Sequence, residues 1–501
     1  MAWGRRSGIW AWLGDREPSF LVAGVVLVFH VALSGRYGFH RDELYYVTAG
    51  RHPAAGYVDQ PPFVPLLARG VTAVFGERLW PLRTLAGFGH AVLVVIAGRL
   101  AREFGGGRWA VGIAALATAV APVFVATGGM FQTVVFDQLW WALALLLVVR
   151  LQGGADPRLW LVVGAVVGLG LETKWTMALL GIGLVVGYAA VADGRSVLRS
   201  PLPWLGVAVA LVLWLPNLVW QAANDWPTLE FTRNNNAIVR AEEGRIGLVA
   251  EQLLLPGPVA VPLAIAGLVW CWRRSRWRAL AFAVVTVFAV LLVVGGKAYY
   301  LAPFFVLLFA AGAVAAESWA TRATAGGRRR LVPVAVALGG LLALPVVAPV
   351  APETTYVTHL HDVNDETGEQ LGWPELADQV ASVYRGLPAR ERHRARIVTA
   401  SYGEAAALDV YGPERGVPRG TVLSAHNSYV DWWPDLEPVD VVIGVRYERV
   451  TLLRYFGSVE RVATIETPWD VPNEIAGTPI TVCRDLRMTP DALREALRDF
   501  R

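Results

Sequence analysis

HRDELYYVTAGRHPAAGYVDQPP, residues 40–62, is the stretch on which the reading of this chain turns. It follows the apolar run Phe20–Ser34 and crowds acids, bases, aromatics and prolines where that run leaves a bilayer. Asp42, Glu43 and Asp59 stand there as carboxylates at a membrane boundary. Such groups are costly to bury, so they are either solvated loop acids or parts of a site.

The composition around the stretch is that of a polytopic membrane protein. Of 501 residues, 55% are hydrophobic and 17% charged, with mean hydropathy +0.43, against about 25% charged in a soluble domain. The net charge of +4 comes from basic residues in short loops between apolar runs. That is a topology signal, not a footprint for nucleic acid. Two cysteines, Cys271 and Cys483, lie far apart in unlike surroundings, which argues against a disulfide framework or a zinc site. Arg5, Arg6 and Arg16 precede the first run, and no clear small-residue cleavage site follows, so an uncleaved first span is expected.

A span needs about 20 apolar residues. Eleven are expected, at 19–35, 79–101, 108–127, 133–151, 158–172, 175–192, 201–220, 251–272, 277–295, 298–316 and 331–350. With the N-terminus in the cytoplasm, the inner loops collect Arg102, Arg108, Arg150, Arg158, Arg195, Arg199, Arg273, Arg274, Arg276, Arg278, Arg322 and Arg328–Arg330. The short outer connections carry only Lys174 and Lys297, a strong positive-inside bias. The expected organisation is a membrane domain over 1–350 and an extracytoplasmic α/β domain over 351–501, in a plasma (inner) membrane.

Three outer segments have room for function: 36–78, 221–250 and the tail. In the first, ELYYVTAGR and PFVPLLARGVTAVFG are expected as short interfacial helices, the second started by Pro61-Pro62. In the tail, 396–400, 439–445 and 478–484 read as buried strands. Residues 403–412 and 489–500 read as helices, the latter capped by Thr489 with Pro490 next. No GxGxxG or GxxxxGK[ST] follows any strand, so nucleotide binding has no support.

Asp42 and Glu43 are neighbours, and neighbours on a helix diverge. One can enter a cavity while the other holds the loop or a metal; both can equally be solvated loop acids. Asp137 opens a span at the same membrane face, where a helix-capping carboxylate is the plain alternative. Lys174, in GLETKWT, and Lys297, in GGKAYYLAP, are isolated cations at outer span ends. They are read either as snorkelling lysines or as partners of a lipid phosphate, with Tyr299 and Tyr300 adding hydroxyls. Glu172 is a candidate partner for Lys174. HNSYVDWW, 426–433, is read as a polar-aromatic loop that packs, with contact to a glycan as the alternative.

The order of these motifs resembles the GT-C membrane glycosyltransferases, in particular the dolichyl-phosphate-mannose protein mannosyltransferases and the bacterial aminoarabinose transferases. The shared points are the Asp-Glu pair, the acid before Pro-Pro, the Asp137 span start, GLETKW, PNLVWQAANDWPTLEFTRNN (216–235) and KAYYLAPFF. The resemblance implies a sugar donor on a polyprenyl phosphate and an outer-leaflet site. It implies catalytic roles for Asp42, Glu43 and Asp137, and donor-phosphate contacts from Lys297, Tyr299, Tyr300, Lys174 and Arg41. Asp59, Gln60, Tyr45 and Tyr46 would line the substrate pocket. Gln60 departs from the lysine that the aminoarabinose enzymes carry before the proline pair. A neutral amide cannot neutralise a phosphate, so weight moves to the other cations.

The function expected is inverting transfer of a hexose or pentose to an acceptor hydroxyl on a protein, lipid or polysaccharide. A divalent cation, Mg or Mn, held by Asp42, Glu43 and a histidine stays open, since no ligand spacing demands it. Two other readings stay open: a lipid or sugar transporter or flippase, and a non-catalytic partner in cell-envelope assembly. Transporters place polar groups near mid-membrane in repeated halves; here they gather at one face and no halves repeat.

Overall fold

The computed structural model describes residues 17–242, 244–322, 327–434, 439 and 441–501. Arg5, Arg6 and Arg16, part of the orientation argument, lie outside the described residues. The helices of the first part are α1 (Pro18–Leu33), α2 (Arg41–Arg51), α3 (Phe63–Phe75), α4 (Leu79–Glu103), α5 (Arg108–Val120), α6 (Pro122–Gly128), α7 (Thr133–Gln152), α8 (Leu159–Leu171) and α9 (Met177–Ala190). There follow α10 (Ala192–Arg199), α11 (Pro201–Ala223), α12 (Pro227–Glu242), α13 (Gly244–Leu254), α14 (Val261–Trp272), α15 (Arg278–Val294), α16 (Pro303–Thr321) and α17 (Gly327–Val347).

A helix covers part or all of each expected span. Among the described residues six are long and apolar enough to cross a bilayer, or up to eight if each of two bent pairs counts as one span. The differences from expectation are local and have local causes. The α5–α6 pair bends by 61° at Ala121-Pro122, where proline removes a backbone donor. The span expected over 251–272 shortens to α14, because Pro256-Gly257-Pro258 interrupts it and Gly257 takes a positive φ of 82°. The span expected from 298 begins at Pro303, because Ala298–Leu301 wind into a 3-10 turn. Helices α8 and α11 meet backbone to backbone at Gly164 and Gly206, where any Cβ would collide with main chain. Leu211, Val212 and Leu342 stay exposed on α11 and α17, as lipid-facing side chains of a multi-pass protein do.

The tail carries a five-stranded sheet in the order β2-β1-β3-β5-β4. The strands are β1 (Ala395–Thr399), β2 (Val422–Ser424), β3 (Val441–Val445), β4 (Phe456–Thr464) and β5 (Pro479–Leu486). β1 pairs in parallel with β2 and β3; β5 is antiparallel to β3 and β4. Helices α18 (Trp373–Gly386), α19 (Tyr402–Tyr411) and α20 (Pro490–Ala496) accompany it. Three strands and two helices lie where the sequence places them. β2 is too short, and β4 too polar, with burial alternating poorly, to stand out in the sequence.

α2 departs from expectation. It is not an interfacial helix: every residue from Glu43 to Gly50 is buried. Leu44, Tyr45 and Val47 share one apolar core with Leu82 of α4, Val135 of α7, Trp373 and Leu376 of α18, Ala405–Leu408 of α19 and Ile443 of β3. The α/β region is therefore continuous with one end of the helix bundle. α3 fits the interfacial expectation better, with Leu66, Val74 and Phe75 exposed.

The position of α2 is set by a buried ion pair. Arg83, 2% exposed, donates from Nη2 to Glu43 Oε2 at 2.7 Å and from Nε to Oε1 at 3.0 Å; Glu43 is fully buried. The same guanidinium donates to the carbonyls of Arg36 at 2.9 Å and Gly38 at 2.8 Å. Glu43 also accepts from the backbone N–H groups of His40 and Phe131, each at 2.9 Å. Removing one partner of such a pair leaves an uncompensated buried charge and costs about 3–5 kcal/mol. Glu43→Gln is therefore expected to lower the thermal unfolding temperature in detergent and the yield of monodisperse protein. Arg83→Met combined with Glu43→Leu should recover part of that loss, as read by fluorescence-detected gel filtration after heating.

Candidate functional site

Helix α2 starts with a capping box. The His40 imidazole Nδ1 accepts from the Asp42 N–H at 3.2 Å, and the Glu43 carboxylate returns to the His40 N–H. One helical step of about 100° separates Asp42 from Glu43. Glu43 turns inward to Arg83, and Asp42 turns out into a cavity of about 530 Å³. Glu43 is thus corrected from a catalytic candidate to a structural one, since Arg83 and two backbone donors occupy its carboxylate.

Asp42 shares the cavity wall with Arg41, Tyr45, Tyr46, Asp59 and Gln60 of the first outer segment. Lys174 enters from the α8–α9 connection; Lys297, Tyr299 and Tyr300 enter from the turn before α16. Residues more than 100 positions apart are brought together here. The Lys174 Nζ lies 5.1 Å and 5.0 Å from the ring centres of Tyr299 and Tyr300, and Lys297 Nζ lies 5.9 Å from the Tyr299 ring. Burial pulls the Lys174 amine down to about 8, against the attraction of Asp137 and with the repulsion of Lys297. An anion entering between the two amines relieves that repulsion.

Asp137 is at the same end of the bundle but not on the cavity wall. Its Oδ1 accepts from Trp141 Nε1 at 3.1 Å and its Oδ2 from Thr176 Oγ1 at 2.8 Å. Thr176 and Lys174 form the wall in front of it. The expectation that Asp137 acts on substrate places it on the cavity; in the structure it is buried one layer behind Lys174, with both oxygens taken by Trp141 and Thr176. Glu172 is not the partner of Lys174 either; neither carboxylate oxygen has a hydrogen-bond partner among the described residues.

Asp59 accepts from the Tyr45 hydroxyl at 2.7 Å. Burial pushes its carboxyl up to about 7, the Tyr45 hydrogen bond opposes this, and the charge of Asp42 adds to it. Gln60, 3% exposed, lines the cavity with both amide atoms unpartnered among the described residues. A buried amide left open on a cavity wall is suited to hydroxyl or phosphate oxygens of a ligand. The three candidates for a divalent cation do not converge. Glu43 faces Arg83, the His40 Nδ1 is taken by backbone, and no group of three His, Cys, Asp or Glu side chains gathers as ligands among the described residues. His52 stacks on Trp432, ring centres 4.6 Å apart.

The α/β region adds Ser401, Tyr402, His426, Asn427, Glu474 and Arg501 to the wall. Four of these, Ser401, Tyr402, Glu474 and Arg501, are not expected from the sequence; His426 and Asn427 open the loop for which glycan contact is the alternative to packing. One signal was present. Tyr402 opens the helix that follows β1, a strand with parallel neighbours on both sides, and crevices at the carboxyl ends of such strands hold ligands. The 426–433 loop divides: Tyr429 and Trp432 pack with Tyr45, as read from sequence, while His426 and Asn427 reach the cavity.

Residues 59–220 match the family described as dolichyl-phosphate-mannose-protein mannosyltransferase. Over 202 residues the chain is 28% identical to the lipid A galacturonosyltransferase RgtD of Rhizobium johnstonii, a stretch that covers 39% of this chain and 41% of that protein, so less than half of the relative's length is spanned. The crystal structure of ArnT from Cupriavidus metallidurans in the apo state shares the fold with a TM-score of 0.58 at 17% identity, over 95% of this chain and 98% of that one. ArnT from the same organism bound to undecaprenyl phosphate aligns with a TM-score of 0.56 at 15% identity, again over 95% and 98%. The resemblance to the GT-C membrane glycosyltransferases read from the motif order therefore stands.

The raised carboxyl of Asp59 has a consequence for stability. The fold favours its protonated form, so its contribution is full below the ordinary value of 3.8 and is lost as pH rises through about 7. Asp59→Asn keeps the neutral form at all pH values. It is expected to lose less unfolding temperature than the wild type between pH 5.5 and pH 8.5. Parallel thermal melts in detergent measure this; identical slopes for the two proteins contradict it.

Proposed function

We propose that this chain is an inverting glycosyltransferase that takes its sugar from a polyprenyl-phosphate donor. The observation that carries the reading is the single cavity in which Asp42 faces the same space as Lys174, Lys297 and Tyr299 at one end of an apolar helix bundle. The likeness to ArnT, whose relative complex holds undecaprenyl phosphate, and to RgtD, a lipid A galacturonosyltransferase, supports it.

In this reading the Asp42 carboxylate accepts the proton of the acceptor hydroxyl as that oxygen attacks the anomeric carbon. The bond from that carbon to the phosphate oxygen breaks with its electron pair, and the polyprenyl phosphate departs. Lys297 and Lys174 hold the charge that develops on it, with the Tyr299 hydroxyl as donor. One direct displacement inverts the anomeric centre. No acid is needed for the leaving group, because a phosphate leaves as a stable anion. Gln60, Tyr45, Tyr46 and Asp59 contact the sugar or acceptor, and Arg41 supports the phosphate side from beside Asp42. Asp137 acts only through Lys174. A divalent cation, if one takes part, would need ligands other than Glu43.

The proposed setting follows the arginine distribution: a plasma (inner) membrane, the N-terminus in the cytoplasm, and the cavity and α/β region on the outer face. The donor tail lies among the spans, and the acceptor is a hydroxyl on a lipid, polysaccharide or protein of the envelope.

The test uses full-length protein in nanodiscs with undecaprenyl-phosphate-linked galacturonic acid, aminoarabinose and mannose, and lipid A and envelope extracts as acceptors. Asp42→Asn is expected to cut transfer by about 10³-fold or more while keeping undecaprenyl phosphate binding within about twofold. Lys297→Ala should weaken that binding by about tenfold. Wild-type-like transfer by Asp42→Asn removes Asp42 from the role of base; no sugar transfer from any donor by the wild type alongside passage of donor across the membrane overturns the transferase reading.

A further inference from the structure

The α/β region reaches Asp42 through one short hydrogen bond: the Tyr402 hydroxyl donates to Asp42 Oδ1 at 2.6 Å. The two residues are 360 positions apart. Arg41 Nε lies 3.9 Å from the same Oδ1, and Oδ2 has no hydrogen-bond partner among the described residues. One carboxylate oxygen is thus held, and the other is left for a ligand.

Tyr402 is itself held from three sides. Its ring packs 4.7 Å from the Tyr45 ring and 5.1 Å from the His426 ring, centre to centre. Its backbone N–H donates to His426 Nδ1 at 3.2 Å. That bond needs a lone pair on Nδ1, so the His426 proton sits on Nε2, which donates to the Arg501 carbonyl at 2.9 Å. Ser401 and Glu404 close a capping box around the first turn of α19. Glu404 and Glu474 both accept from Arg446, at 2.7 Å and 2.9 Å, and Glu474 also pairs with Arg41 at 3.2 Å. Gly403 lets this turn approach α2: a Cβ there would stand 3.2 Å from the Arg41 Cβ. Asp42 is thereby held by the N-terminal turn of α19, and Arg41 by Glu474, which Arg446 ties to Glu404 of the same turn.

We infer that Tyr402 is a positioning residue for Asp42, so that the α/β region, through the Tyr402–His426 pair, orients the base and sets how readily it takes a proton. The inference rests on the transferase reading for its meaning in catalysis, but not for the coupling itself. A hydroxyl donating to a carboxylate favours the ionised form. It also fixes the rotation of the carboxylate, which aims Oδ2 at the acceptor. Besides Tyr402, the titratable groups facing Asp42 or sharing its cavity are Arg41, Tyr45, Tyr46 and His40 on or next to its own helix, Asp59 after it, Lys174 between α8 and α9, Lys297, Tyr299 and Tyr300 before α16, and His426, Glu474 and Arg501 in the α/β region. All of them remain when the Tyr402 hydroxyl is removed, so a change is assignable to that hydroxyl.

The experiment reads Asp42 directly. A water-soluble carbodiimide labels protonated carboxyls, and peptide mass spectrometry follows labelling of Asp42 against pH in the full chain in nanodiscs. In Tyr402→Phe the labelling midpoint of Asp42 should rise by about one pH unit, while that of Glu460, an exposed acid, stays within about 0.2 unit. In the transfer assay the same variant should show kcat down about tenfold with KM within about twofold, and the acid limb of its rate profile moved up by the same unit. His426→Ala should reproduce a smaller shift and His426→Gln, which keeps an acceptor for the Tyr402 N–H, should restore it. These two also decide the matter if Tyr402→Phe folds poorly. An unmoved midpoint in Tyr402→Phe, or in His426→Ala, overturns the inference. Transfer that survives Asp42→Asn would instead remove Asp42 from the role of base, leaving the labelling result to stand for the coupling alone.

Discussion

The buried pair of Arg83 and Glu43 is the constraint on which the site depends. Two charges in a low-dielectric setting are tolerated only when their remaining hydrogen-bonding capacity is met. Here it is met by backbone from three places: the Arg36 and Gly38 carbonyls after α1, the His40 N–H at the start of α2, and the Phe131 N–H before α7. Those bonds fix the rotation of α2 about its axis. Once Glu43 points at Arg83, the next residue back must point elsewhere, and Asp42 is delivered to the cavity. The conspicuous acidic pair is therefore a division of labour, one carboxylate spent on architecture and one left free.

A second layer of the same logic runs through the cations. Lys174 and Lys297 stand at the ends of apolar helices, where snorkelling would carry them to headgroups. Both turn instead into the cavity over the rings of Tyr299 and Tyr300. Asp137, behind Thr176, supplies the countercharge that makes a buried lysine bearable without occupying the space in front of it. Acids and amines thus share one chamber without collapsing into ion pairs.

The α/β region is the other wall of that chamber rather than an appendage. Its core is continuous with α2 and with one end each of α4 and α7. The carboxyl end of β1 and the first turn of α19 face Asp42, the place where parallel strands usually meet a ligand. Side chains from the membrane part and from the α/β region meet with the cavity between them, and aromatic packing of Tyr45 against Tyr402, Tyr429 and Trp432 joins the two.

How far the sequence reached depended on whether the signal was local. Apolar runs, arginine-rich loops and the change of composition near residue 351 are local, and from them the sequence by itself determined a multi-pass helical chain with an α/β tail and a polar face at one end. It also determined that Asp42, Lys174, Lys297 and Tyr299 belonged to that face. It could not say that Glu43 and Asp137 point away from the cavity, because rotation of a helix about its axis is settled by partners such as Arg83 and Thr176 that lie 40 and 39 residues distant. Nor could it find the roles of Tyr402 and His426, which exist only once β1 brings α19 against α2. Those choices were made by tertiary structure alone, since a buried charge takes whichever partner the packed chain brings within hydrogen-bond reach.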